Sequence, residues 1–234
     1  MKVIIHQPDF IPWMGLFHKI MSAQQVIIFD SVQISSGKSY SSRVKILLNG
    51  QEYWMSIPIK RSGNFGQKIF EVEILDFKIN WKKNLGTIKQ AYAKTNHFTE
   101  IYQYLEEFLN QDYQFLSQFN QAFMEKTTVK LGGKDIQFLN SSHKPELVAS
   151  ESKRTDYIIE TCKVFDVKDY ISGVGCLTFL EEEKFKENVI NITFQDFNHP
   201  VYKQYRSEIF VPGLSIIDSL MNIGFEETSK LIAK

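Results

Sequence analysis

Two prolines four residues apart, just after a short apolar β-branched run, constrain the start of this chain more than any other feature. Lys2 to Ile5 has the pattern of a short buried strand. Pro8 and Pro12 each remove a backbone donor and push the preceding residue out of the α region, so Gln7 to Ile11 cannot be helix. From Trp13 onward Leu16, Phe17 and Ile20 recur at helical spacing. The unit is therefore strand, rigid loop, helix N-terminus. In open α/β sheets, ligands sit beyond strand ends of this kind, where helix amides face a crevice. His6 and Gln7 stand at the strand's end. The segment is either an ordinary connection with a core tryptophan or part of a site.

Six further strands are expected downstream, at 25–29, 43–48, 52–58, 70–75, 136–139 and 168–171, and another at 189–194. Asn49-Gly50 between two of them is a strong hairpin signal. Gly63 and Gly66 mark a loop. Residues 80–131 contain no proline and carry apolar residues at helical spacing, which predicts two or three helices, broken near Asn96 and Asn110 and ended by Gly132-Gly133. More helices are expected at 152–165, 179–188 and 214–221, the last capped near Gly224. Five strands alternating with helices imply an α/β fold: a mostly parallel, Rossmann-like sheet with an added β-hairpin and an inserted helical block. No flexible linker divides the 234 residues, so one domain is expected.

Charge excludes little but says something. With 27 basic and 27 acidic residues, no global field draws the chain to DNA or to an anionic membrane. No stretch approaches the ~18 apolar residues of a membrane span. MKVIIHQPDF is not a signal peptide, because its apolar run is short and leads into proline. Cys162 and Cys176 have neither metal-ligand nor CxxC spacing, which fits a reducing cytoplasm.

A parallel sheet would gather His6-Gln7, Asp30, Asn140-Ser141-Ser142, Ser172-Gly173 and Gln195-Asp196 at one edge. Asp30 is then a catalyst or a strand-ending cap. Ser172-Gly173-Val-Gly175 is a phosphate-hugging loop or a plain turn. Asp196 and His199 flank a turn at Pro200 with a spacing that suits acid/base work or simple turn stabilisation. Lys153 and Arg154 at a helix start oppose the helix dipole, which fits a bound anion or a solvated basic turn. Arg43 and Lys45 share one strand face and could grip a phosphate or carboxylate. His18 reads as a solvated helix residue. His6, Asp196 and His199 could meet in space, but no residue set makes a convincing metal site. Cys176 is the one cysteine on the proposed edge.

These residues resemble the WbqC-like family of bacterial proteins. The likeness rests on His6-Gln7-Pro8-x-x-x-Pro12-Trp13-x-Gly15-x-Phe17-x-Lys19-Ile20, on Asp30-x-Val32-Gln33 followed by Arg43, and on Tyr170-Ile-Ser172-Gly173. It continues through Phe194-Gln195-x-Phe197-x-His199-Pro200-x-Tyr202 and Leu214-Ser215-Ile-Ile-Asp218-x-Leu220-x-Asn222-x-Gly224. Leu16 stands where the family usually has Tyr, and Ser42 where it usually has Asn. The family occurs in surface-polysaccharide (O-antigen) gene clusters, and one assignment within it is glycine transferase. The resemblance implies transfer of an amino acid to the amino group of a nucleotide-linked amino sugar. It implies an activated carboxyl, from ATP with Mg or from a charged carrier, with tRNA as one candidate donor. On that reading His6 or His199 is the base and Asp196 orients it. Arg43, Lys45, Lys153 and Arg154 hold phosphates. Gln7, Trp13, Gly15, Lys19, Asp30, Gln33, Ser172, Gly173 and Tyr202 line the substrate. Trp13 and Leu16 stand where nucleotidyltransferases with a His-x-Gly-His loop carry histidines, so that mechanism does not transfer. The alternative is a non-catalytic protein that binds a nucleotide sugar or a partner. The helical block would be a lid or a homodimer surface.

Overall fold

The structure, a computed structural model, describes residues 1–35, 37, 39–60 and 66–233. The loop expected at Gly63 lies outside them. The chain opens with β1 (Lys2–His6), α1 (Met14–Met21) and β2 (Gln25–Ile28), as the double proline requires. β3 (Arg43–Leu48) and β4 (Gln51–Ser56) form an antiparallel hairpin. Its turn places Asn49 at φ 52° and Gly50 at φ 76°, the left-handed pair that suits strand twist. A side chain at Gly50 would also strike the Arg206 carbonyl, 2.5 Å from a built Cβ.

The helical block is α2 (Phe77–Tyr92), α3 (Phe98–Glu106) and α4 (Leu116–Lys130), broken where Asn96 and Asn110 suggest. β5 (Gln137–Asn140), α5 (Pro145–Ala149), α6 (Arg154–Val164), β6 (Asp169–Ser172), α7 (Glu182–Glu187), β7 (Asn191–Phe194) and α8 (Ile216–Ile232) follow.

Five strands make one sheet in the order β5-β2-β1-β6-β7, and every pairing is parallel. The chain moves outward from β1 to β2 and β5, then returns to lay β6 on β1's other side. The order thus reverses between β1 and β6, and a doubly wound sheet opens its ligand crevice at such a point. Burial follows the strand period of two. Ile4, Val26 and Ile28 enter a core shared with α1, the helical block, α8 and the hairpin. Val3, Ile5 and Ile27 enter a second core on the opposite face with Ile158, Ile159, Cys162 and Phe185 of α6 and α7.

Two expectations are corrected. Residues 70–75 are not a strand: Ile69–Glu71 is a 3-10 turn, and Glu73 and Ile74 make single bridges to Phe115 and Ile59. The alternation was real, since Val72 and Ile74 are buried, but among the described residues the segment pairs only through these single bridges. The last helix breaks at Gly224 as expected, where φ is 77° and ψ 176° and His97 packs against it, but a second helical segment follows to Ile232, so α8 extends past the expected end.

Candidate functional site

The loop between β1 and α1 is built as a rigid floor. Asn120 Nδ2 of α4 donates to the carbonyls of Pro8 and Ser41, both at 2.8 Å. Phe10 N donates to Tyr40 O, Ile216 N to Pro12 O, and Ser215 Oγ to Ile11 O. Between these anchors Ile11 is fully buried and held at φ 47°. A branched residue there costs ~1–3 kcal/mol, and such strain concentrates at functional sites.

His6 ends β1 inside this frame and has a partner on each ring nitrogen. Nδ1 lies 3.0 Å from Lys19 Nζ, and Nε2 lies 3.3 Å from Asp9 Oδ2. A charged Lys19 donates to Nδ1, which leaves the ring proton on Nε2, facing Asp9. Burial, and after it the charge of Lys19, lower the His6 pKa; Asp9 opposes both. The imidazole is therefore neutral at pH 7. Lys19 is 4 % exposed and sits beside Gly173, whose Cβ, if present, would stand 3.8 Å from Nζ.

Two cavities meet at this pair. The larger, about 580 Å³, is walled by Gln7, Tyr157, Tyr170, Cys176, Phe179 and Arg154 as well as His6 and Asp9. The smaller, about 350 Å³, is walled by Phe10, Pro12, Trp13, Val44 and Gly213, again with His6 and Asp9. Tyr40 borders both.

The other candidates divide. Trp13 lies on Gly15, where any Cβ would enter the indole at 2.3 Å, so the Trp-x-Gly spacing is a packing requirement. Ser172 is buried at the end of β6, its carbonyl taking Gln195 N, while Gly173 caps the next turn. Asp30 is buried at the end of β2. Its carboxylate accepts from Asn140 Nδ2, Ser141 Oγ, Ser142 N and Ser142 Oγ at 2.9–3.2 Å. That is a structural tie between β2 and β5, and it leaves poor capacity for a Mg ion. Gln33 is exposed in a single bridge to Lys68 and lines neither crevice cavity. Arg43 stacks on Trp54 at 3.9 Å, and among the described residues its buried Nε has no hydrogen-bond partner. Lys45 shares that face as the strand phase predicts, but Glu52 holds it at 2.7 Å. Lys153 is exposed beside Arg154 and lines neither crevice cavity.

The expected His199–Asp196 pair does not form. His199 Nδ1 donates to Pro200 O at 3.0 Å, and its ring packs among Trp13, Phe197, Tyr202 and Phe210. Burial lowers its pKa; the carboxylate acting on it is Asp218. Asp196 acts on His18 instead. His18 is not a solvated helix residue: Nδ1 accepts from Gln195 Nε2 at 2.8 Å, the ring packs on Phe197, and burial lowers its pKa. Tyr202 donates to Asp218 at 2.8 Å and is an anchor rather than a cavity wall. Among the described residues no hydrogen bond joins His6 to His199 or Asp196.

Two residues escaped the sequence. Asp9 reaches back to His6 around Pro8, and its i+3 spacing was the available signal. Tyr40, in a serine- and glycine-rich loop, gave none.

The described residues include no helix long and apolar enough to cross a membrane. An uncharacterized protein of Mycobacterium tuberculosis, Rv1507c, is 29 % identical over 227 residues, covering 96 % of this chain and 95 % of that one. No solved structure matches. Residues 7–230 match the WbqC-like protein family, a span that starts one residue after His6 and takes in the double-proline loop and most of α8, and the chain belongs to that family.

Proposed function

We propose that this protein transfers an activated aminoacyl group, glycyl in the first instance, to the amino group of a nucleotide-linked amino sugar used in surface-polysaccharide (O-antigen) assembly. The reaction class comes from the family resemblance. One observation supports it above the rest: two cavities share His6, Asp9 and Tyr40, so two substrates can reach one neutral imidazole. The larger cavity suits the sugar nucleotide, with Gln7 for hydroxyls and Arg154 for a diphosphate. The smaller one, by its size, suits the acyl group. His6 takes the proton of the attacking amine. Asp30 is committed to Asn140, Ser141 and Ser142, so the reading takes a donor that arrives already activated rather than carboxyl activation on Mg-ATP.

A non-catalytic nucleotide-sugar binder is the competing reading. What favours it is that both His6 ring nitrogens already have partners within the chain.

Thermal shifts test substrate choice. A ligand at ~100 times its Kd stabilises by about 2.7 kcal/mol. For a chain of this size that raises Tm by roughly 5–10 °C. An amino-sugar nucleotide is expected to give that shift, and Arg154→Ala to remove most of it. A shift with ATP alone would move the reading to carboxyl activation, and no shift with any sugar nucleotide would contradict it.

A further inference from the structure

Lys19 poses a problem that the crevice geometry answers. Its ammonium is buried, and among the described residues it belongs to no ion pair. A buried cation without a carboxylate partner is costly and tends to give up its proton. Its one hydrogen-bond partner is His6 Nδ1 at 3.0 Å. It lines neither cavity, so substrate meets it only through the imidazole.

We propose that Lys19 stores the proton that the attacking amine loses, filled and emptied through His6. This rests on the transfer reaction above. Before reaction Lys19 is the neutral amine and His6 carries its proton on Nδ1. The substrate nitrogen forms a bond to the donor carbonyl carbon, whose π pair moves to oxygen. The N–H bond then breaks to His6 Nε2, and the Nδ1 proton passes to the Lys19 lone pair. Collapse of the tetrahedral species expels the leaving group with its electron pair. That group takes the proton from Nε2, and Lys19 returns its own to Nδ1. Amide and protonated leaving group are released, and the relay is reset. Asp9, 3.3 Å from Nε2, steadies the ring while that nitrogen is protonated.

The groups that set Lys19's proton affinity are few: His6 on β1, Asp9 in the proline loop and Cys176 in the turn after β6. Burial dominates and brings the Lys19 pKa to about 8, against the pull of Cys176 and Asp9. The store is then empty above that pH and full below it.

Nitrogen-15 NMR of the histidine rings reads this without substrate. In the wild-type protein both His6 nitrogens, assigned by their loss in His6→Gln, are expected to shift with an inflection near pH 8 as Lys19 titrates. Lys19→Met and Lys19→Arg should abolish it. A His6 signal flat from about pH 7 to about pH 9.5 would overturn the proposal, as would an inflection that survives in either variant. In the transfer assay, wild-type kcat/KM should rise tenfold per pH unit below pH 8 and level above it. Lys19→Arg, which keeps the charge and cannot release it, should lose ~100-fold in kcat with KM little changed. Wild-type kcat in Lys19→Arg would also overturn the proposal. If no transfer is found but the ring titration appears, the coupling stands and the proposed reaction is what fails.

Discussion

Asp218→Ala is expected to destabilise the fold by ~3–5 kcal/mol and to lower Tm by roughly 6–20 °C. Asp218 lies in the first turn of α8 and is fully buried. Tyr92 Oη donates to Oδ1 at 2.9 Å, and Tyr202 Oη and Gln204 Nε2 donate to Oδ2 at 2.8 and 2.9 Å. Removing the carboxylate takes the acceptor from Tyr92 on α2 and from Tyr202 and Gln204 in the loop before α8; Gln204 Nε2 keeps Val211 O, and each buried donor left unsatisfied costs ~1–3 kcal/mol. Tyr92 also accepts from Leu47 N of the hairpin, so the damage extends toward the small cavity. Burial outweighs these bonds and raises the Asp218 pKa above its ordinary value of 3.8. Between those two values the native state holds more protons than the unfolded state, so this group's contribution to stability falls as pH rises through the window. Asp218→Asn removes that dependence while keeping an acceptor. The stability difference between wild type and Asp218→Asn, followed by denaturant melts across acid to neutral pH, should shift against wild type as pH rises. A flat difference would contradict the assignment.

His6→Ala is expected to cost ~10²–10⁴ in the rate of transfer, the usual worth of a placed general base. Binding of the sugar nucleotide should change little, because Arg154 and Gln7 rather than the imidazole hold it in this account. Stability should fall as well, because the buried Lys19 ammonium loses its partner on His6 Nδ1, so rates are compared at a temperature where the variant is folded. His199→Ala is the control. That ring is committed to Pro200 O and an aromatic cluster, so its loss should cost less than ~10-fold. Single-turnover rates with measured Kd values separate the two. Equal losses would return His199 to the chemistry.

Much of the scaffold could be read from local pattern. Period-two burial in β1 and β2, the Asn49-Gly50 turn, the proline-free helical block and its breaks are decided by nearest neighbours, and they stand as expected. The segment at 70–75 shows the limit: alternation reports which side chains are buried, not whether a partner strand exists. The site follows the same division. Parallel topology brings His6, Asp30, Ser172 and Gln195 to one edge, as strand endings imply. Which of them face a cavity is a tertiary matter. Asp30 turned inward to β5, His18 was drawn onto Gln195, and Asp196 and His199 turned apart. Lys19 was expected to line the substrate; it is instead buried against His6, beside Gly173 after β6, and lines neither crevice cavity.

The most direct test of the two-substrate crevice is mass spectrometry of a mixture of the purified protein, a nucleotide-linked amino sugar and an activated glycyl donor. The account predicts the glycyl amide of the sugar nucleotide, formed by wild type and lost in His6→Ala although both substrates still bind. Binding of both substrates with no amide from wild type, or amide formed equally by His6→Ala, would contradict it.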